Sequence, residues 1–236
     1  MTRLQAIVFD FDGVIANSEP LHLQAFQRTL AEAGLTLSRA DYFSRYLGFD
    51  DVGMFGALAR DRGIAMSGHD VSALVARKGE VLQELMGADA VLFPGAVEFI
   101  RAAAKTVPVA IASGALRHEI DEILHAAGLD ALFSTIVASG DTPSSKPSPE
   151  PYRLAFQRLQ EHAGGSLEPR RTVAIEDSRW GLESARGAGL RCVGVTSSYP
   201  AHDLTGAELI ASGLGELTLD ALEQLCARMP GEGATR

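Results

Sequence analysis

Short apolar runs, each closed by polar residues, open this chain and recur through its second half. Leu4 to Phe9 stops at Asp10, Val107 to Ala112 at Ser113-Gly114, Thr172 to Ile175 at Glu176-Asp177, and Arg191 to Val195 at Thr196-Ser197. Runs of this length without polar alternation suit strands buried on both faces, as in a parallel sheet. Ser134 to Ala138 is a weaker run of the same kind. Amphipathic stretches fall between the runs: Ala96 to Lys105, Leu116 to Ala127, Pro149 to His162 and Gly181 to Ala188. This alternation predicts an α/β fold, a doubly wound parallel sheet with helices on both faces.

The alternation fails between about Ser18 and Leu92. Helical periodicity persists there, with Leu23, Phe26, Leu30 and Ala33 on one face, then Val71, Leu74 and Val75, then Val81, Leu82 and Leu85. No convincing strand accompanies it, so the stretch reads as a helical module inserted after the first strand. Phe93-Pro94-Gly95 marks the return. The expected division is a core of residues 1–17 and 92–236, with a helical insert of residues 18–91. Residues 230–236 are expected to form a frayed tail.

Composition narrows the picture. Hydrophobic residues make up 46% of 236, enough for a sizeable core, and the formal net charge is -9. So acidic a chain has no overall pull on nucleic acid. The opening apolar run is too short for a signal peptide, and no later run approaches a membrane span, so a cytoplasmic location is expected by default. Cys192 and Cys226 are far apart and imply two reduced thiols rather than a disulfide framework. Nothing in the sequence demands more than a monomer.

Polar residues gather where an open parallel sheet places its ligands, at the carboxyl ends of strands. Asp10-Phe11-Asp12-Gly13, Ser113-Gly114, Ser145-Lys146-Pro147 and Glu176-Asp177 all follow predicted strands or lie in the loops beyond them. Singly, each has a plain structural reading: Ser and Asp cap helices, Gly serves turns, and lysines sit on loops. Together they fit attack on a phosphate monoester. An aspartate approaching that dianion meets repulsion, which a divalent cation offsets. Magnesium prefers oxygen ligands. The candidate metal set is Asp10, Asp12, Glu176 and Asp177, with a backbone carbonyl of the first loop as a further oxygen. Asp10 is the candidate nucleophile, and Asp12 the candidate general acid and base, protonating the leaving oxygen and then activating water. Lys146 adds positive charge, while Ser113 and the Gly114 amide donate hydrogen bonds to phosphate oxygens.

These motifs together resemble the haloacid dehalogenase superfamily, in the branch containing phosphoglycolate phosphatase and β-phosphoglucomutase. The resemblance rests on Asp10-Phe11-Asp12-Gly13-Val14, Asn17-Ser18-Glu19-Pro20-Leu21-His22, Ser113-Gly114, Lys146-Pro147-Ser148-Pro149-Glu150-Pro151-Tyr152 and Glu176-Asp177-Ser178, in that order. It covers nearly the whole chain. It implies a Rossmann-like core, a helical cap inserted after the first strand, magnesium, and an aspartyl-phosphate intermediate. The second aspartate, Asp12, favours phosphorus chemistry over the carbon–halogen cleavage that names the superfamily.

Cap residues are harder to assign. Ser18 and His22 fall where related sugar-phosphate enzymes place groups facing the substrate, and Lys78 is a further candidate contact, against a packing or solvated-face alternative for each. Around Leu47 to Asp51, β-phosphoglucomutase-like chains carry an arginine where Asp51 stands here. An acidic residue works against holding a second phosphate, as a mutase must. The expected function is therefore magnesium-dependent hydrolysis of a small phosphorylated metabolite such as a sugar phosphate. A β-phosphoglucomutase-type mutase is the alternative, and a non-enzymatic phospho-acceptor domain is the more distant one. His118, Asp121, Glu122 and His125 share helical spacing but read as the wet face of a helix whose other side carries Ile120, Ile123 and Leu124.

Overall fold

The computed structural model describes residues 4–47, 49–85 and 92–227. The expected frayed tail at residues 230–236 lies outside them, as does Gly48 in the stretch around Asp51. By its contacts the chain divides into two compact units, Met1–Asn17 with Val91–Arg236, and Ser18–Ala90.

The first unit is built on six parallel strands: β1 Ala6–Phe9, β2 Val109–Ala112, β3 Phe133–Val137, β4 Thr172–Glu176, β5 Arg191–Val195 and β6 Leu209–Ala211. Their order is β3-β2-β1-β4-β5-β6. The chain winds outward from β1 to β2 and β3, then crosses back to β4 on the other side of β1. That reversal opens a crevice at the carboxyl ends of β1 and its neighbours, the usual ligand position in such sheets.

The strand composition follows from burial on both faces. In β1, Ala6 and Val8 join one cluster with Tyr152, Ala155, Phe156 and Leu159. On the opposite face, the Phe9 ring meets Phe99 and Phe133 edge-on, at 6.2 Å each. No position in β1 is left to face water, so all four residues are apolar and buried. Full burial of a large apolar side chain contributes roughly 1.5–3 kcal/mol.

The doubly wound sheet and the inserted helices match the sequence reading, with differences at the margins. β6 was not anticipated: three partly exposed residues carry too little apolar signal. The helix Leu219–Ala227 was also absent from the reading. The predicted Gly181–Ala188 helix runs Arg179–Gly187, because the Ser178 side chain caps it by accepting from Gly181 N.

The second unit consists, among its described residues, of helices Glu19–Glu32, Arg39–Asp41, Asp51–Asp61 and Gly68–Leu85, with a π-helical turn at Tyr42–Tyr46. Numbered in chain order, these four helices are α1 to α4. The first unit adds α5 Ala96–Ala104, α6 Arg117–Ala126, α7 Glu150–His162, α8 Arg179–Gly187 and α9 Leu219–Ala227. Leu23, Phe26 and Leu30 of α1 pack with Tyr42, Phe55 and Leu58, and Val71, Leu74 and Val75 close over that cluster. Ala33, expected on the same face, is exposed. It caps α1 just before Gly34, whose positive φ of 72° turns the chain away.

Candidate active site

Asp10 is the first residue after β1, held in register where its amide donates to Ile175 O at 2.9 Å. Its Oδ1 receives Phe11 N at 2.7 Å and Lys146 Nζ at 2.9 Å. Both bonds fall on Oδ1, so Oδ2 is the oxygen this geometry offers to phosphorus or a cation. Glu176 ends β4, beside β1, and is fully buried. Its Oε1 receives Lys146 Nζ at 2.6 Å and the Tyr152 hydroxyl at 3.0 Å. Its Oε2 receives Asp177 N, Ser178 N and Ser178 Oγ at 3.0–3.2 Å. Five donors on one carboxylate fix it firmly and give it the role of an anchor for Lys146.

Asp10, Glu176 and Asp177 each present a carboxylate oxygen within 4.8 Å of the others. Like charges this close resist ionising together. Burial first, then the Glu176 charge, push Asp10 up to about 8 against the opposing pull of Lys146. Burial, then Glu176 and Asp10, hold Asp177 well above the usual carboxylate range. Burial also works to raise Glu176, but the charge and hydrogen bond of Lys146, with help from Ser178 and Tyr152, bring it below its ordinary value. Burial works against the Lys146 ammonium, but Asp10 and Glu176 outweigh it and keep it protonated. One lysine cannot offset three ionised carboxylates, and two of the three are accordingly pushed toward their neutral forms. An all-oxygen donor set whose members resist ionising together fits a hard divalent cation such as magnesium, which would let them ionise when bound. Asp10 and Asp177 are the members best able to hold it.

The other predicted residues of this unit stand at neighbouring strand ends. Asp12 is half-buried in the tight loop after β1, where Gly13 N donates to Ala16 O at 2.9 Å, and lies outside the three-carboxylate group. Ser113 follows β2, and its Oγ accepts from Ala115 N at 3.0 Å. Gly114 beside it is exposed, with open space where a side chain would stand. Ser18, His22 and Lys78 belong to the second unit. There the buried Lys78 Nζ lies 3.0 Å from Asp51 Oδ2, donates to His22 Nδ1 at 2.8 Å and sits 5.0 Å above the Phe26 ring. Desolvation, then the Lys78 charge, push His22 down to about 3, so its imidazole is neutral. Ser18 is buried just ahead of α1. His118, Asp121 and His125 do lie on the exposed face of α6, and Arg117 pairs with Asp121 at 2.9 Å.

Three contributors had no assigned role in the sequence reading. The Tyr152 phenol holds Glu176, Ser197 Oγ donates to Gly13 O, and Ser198 Oγ donates to Asp177 Oδ2. Tyr152 lies within the Lys146 motif and could have been suspected. The two serines follow β5 in a run that reads as an ordinary turn.

The site is thus a buried carboxylate cluster bridged by a lysine at the switch point of a doubly wound sheet. Residues 4–189 match the haloacid dehalogenase-like hydrolases, and the chain belongs to that family. Protein CbbY of Rhodobacter capsulatus is 33% identical over 208 residues, spanning 85% of this chain and 89% of its own. A phosphorylated carbohydrates phosphatase of Thermotoga maritima is 30% identical over 200 residues, spanning 83% of this chain and 87% of its own. A crystal structure of mutant CbbY from Rhodobacter sphaeroides, in complex with xylulose-(1,5)bisphosphate, superposes with a TM-score of 0.80 at 29% identity, covering 91% of this chain and 96% of that one. With such relatives, the chain is a phosphatase of this family. Among the described residues no helix is long and apolar enough to cross a membrane.

Proposed function

We propose that the enzyme hydrolyses a small sugar phosphate with the help of magnesium, through a phosphoryl group carried on Asp10. The observation that carries this reading is the Lys146 bridge, 2.9 Å from Asp10 and 2.6 Å from Glu176, set among the three carboxylates. Magnesium, when bound, offsets charge between the carboxylates and the incoming phosphate. Asp10 Oδ2 attacks phosphorus, and the ester oxygen departs with a proton from Asp12. Asp12, now a carboxylate, takes a proton from water as that water attacks the aspartyl phosphate and frees Asp10. Lys146 draws negative charge off Asp10 and the transferring group, while Ser113 and the Gly114 amide hold phosphate oxygens.

The relatives acting on or binding phosphorylated carbohydrates support the substrate class. Hydrolysis is preferred to a mutase reaction because the Lys78 ammonium is already matched by Asp51 within its own unit. That pairing leaves little positive charge there for the second phosphate a mutase must grip. The test is a panel of sugar phosphates with magnesium, following inorganic phosphate, and β-glucose 1-phosphate with a bisphosphate primer, following isomerisation. Phosphate release should dominate and should stop on chelation. Isomerisation exceeding release by about a hundredfold, a sign of a site that shuts out water, would replace the hydrolase by the mutase.

A further inference from the structure

We propose that Ser198 is a positioning residue for the metal site, fixing the Asp177 carboxylate in the orientation that receives the cation. The proposal rests on the reading that a divalent cation binds among Asp10, Glu176 and Asp177. After Val195 closes β5, Thr196 N still donates to Ala211 O at 3.0 Å, so the chain leaves the sheet in a defined direction. The next two side chains then turn toward the site. Ser197 Oγ donates to the carbonyl of Gly13, in the loop that carries Asp10 and Asp12, and Ser198 Oγ donates to Asp177 Oδ2. Two adjacent hydroxyls thus tie together the two loops that supply the carboxylates.

The packing at this junction leaves little slack. Gly13 has φ 77°, and a Cβ there would lie 1.8 Å from Asp177 Oδ2 and 2.9 Å from Ser198 Oγ. The Asp177 carboxylate therefore lies against bare backbone on one side and the Ser198 hydroxyl on another. With Oδ2 held by the hydroxyl, the carboxylate keeps one orientation beside Asp10 and Glu176. Carboxylate ligands are commonly oriented by such outer hydrogen bonds, whose loss weakens metal affinity about 10–100-fold. A serine that merely braced the loop would affect stability and leave affinity alone, which separates the two roles.

Magnesium binding is measured by calorimetry on the parent, Ser198→Ala and Ser198→Thr, with the thermal midpoint of each recorded in the absence of metal. Expected are a Ser198→Ala affinity weaker by about 10–100-fold, recovery in Ser198→Thr, which restores the hydroxyl, and closely similar midpoints. Ser198→Ala binding magnesium as tightly as the parent would overturn the proposal, as would a Ser198→Thr variant that binds no better than Ser198→Ala. An unfolded Ser198→Ala would make the residue structural and overturn it too. A parent that takes up no magnesium would remove the metal reading itself, an outcome distinguished by the parent trace alone.

Discussion

Lys146 decides how this site holds its charge. Its side chain is 14% exposed, and its partner Glu176 is wholly buried. Breaking a buried pair costs about 3–5 kcal/mol, because the remaining charge stays without compensation. In Lys146→Ala, Asp10 and Glu176 would face each other without the ammonium, and Asp10 would lose ionised character. Turnover should fall by about 100-fold or more, the scale for removing one positioned electrostatic stabiliser, with the variant still folded by circular dichroism. Unchanged kcat in steady-state kinetics would return Lys146 to the status of a loop lysine. The polar residues at the strand ends were legible because carboxylates, lysine and serine recur at one structural position along the chain. Ser197 and Ser198 were not, because a serine after a strand reads as an ordinary turn residue and its hydrogen-bond partner is distant in sequence. Gly13 and Ser197 are linked across 184 positions.

Helix α8 shows how an element can be shaped by the site beneath it. Gly181 lies in its first turn, where an alanine would ordinarily gain about 1 kcal/mol of helix propensity. Here a Cβ would fall 1.7 Å from Glu176 Oε1. Overpacking of this kind costs roughly 1–3 kcal/mol and displaces the neighbour, so the close approach outweighs propensity. Gly181→Ala should lower stability in urea denaturation and also slow turnover, since Glu176 carries Lys146. A variant that is more stable than the parent, with full activity, would contradict that packing. The same balance explains which elements the sequence revealed. Central strands had to be apolar throughout and stood out, as did long amphipathic helices. β6 is a short edge strand and needs no continuous apolar signal, which is why it escaped notice. α8 starts earlier than its apolar pattern suggests because Ser178, part of the acidic motif, serves both Glu176 and the helix cap.

At the scale of the molecule, the site exists only because the sheet order brings together segments far apart in the chain. Asp10, Ser113, Lys146 and Glu176-Asp177 come from four separate stretches, and the β3-β2-β1-β4-β5-β6 order sets β2 and β4 on either side of β1. The alternation of strand and helix made that architecture readable, since a parallel crossover usually runs through a helix, as the first four here do. The surroundings of Lys78 were not readable, because they depend on α1, α3 and α4 meeting, and helical periodicity gives faces without giving partners. The central claim is that phosphate passes through Asp10. Aspartyl phosphate is reduced by borohydride to homoserine, so the intermediate leaves a mark at one position. Asp12→Asn, which slows water attack, is mixed with magnesium and an aryl phosphate, whose leaving group needs no proton from Asp12, then treated with borohydride, digested and read by mass spectrometry. The account predicts homoserine at position 10 in the presence of substrate and none in an Asp10→Asn control that is itself inactive. Homoserine at another aspartate, or full turnover by Asp10→Asn, would contradict it.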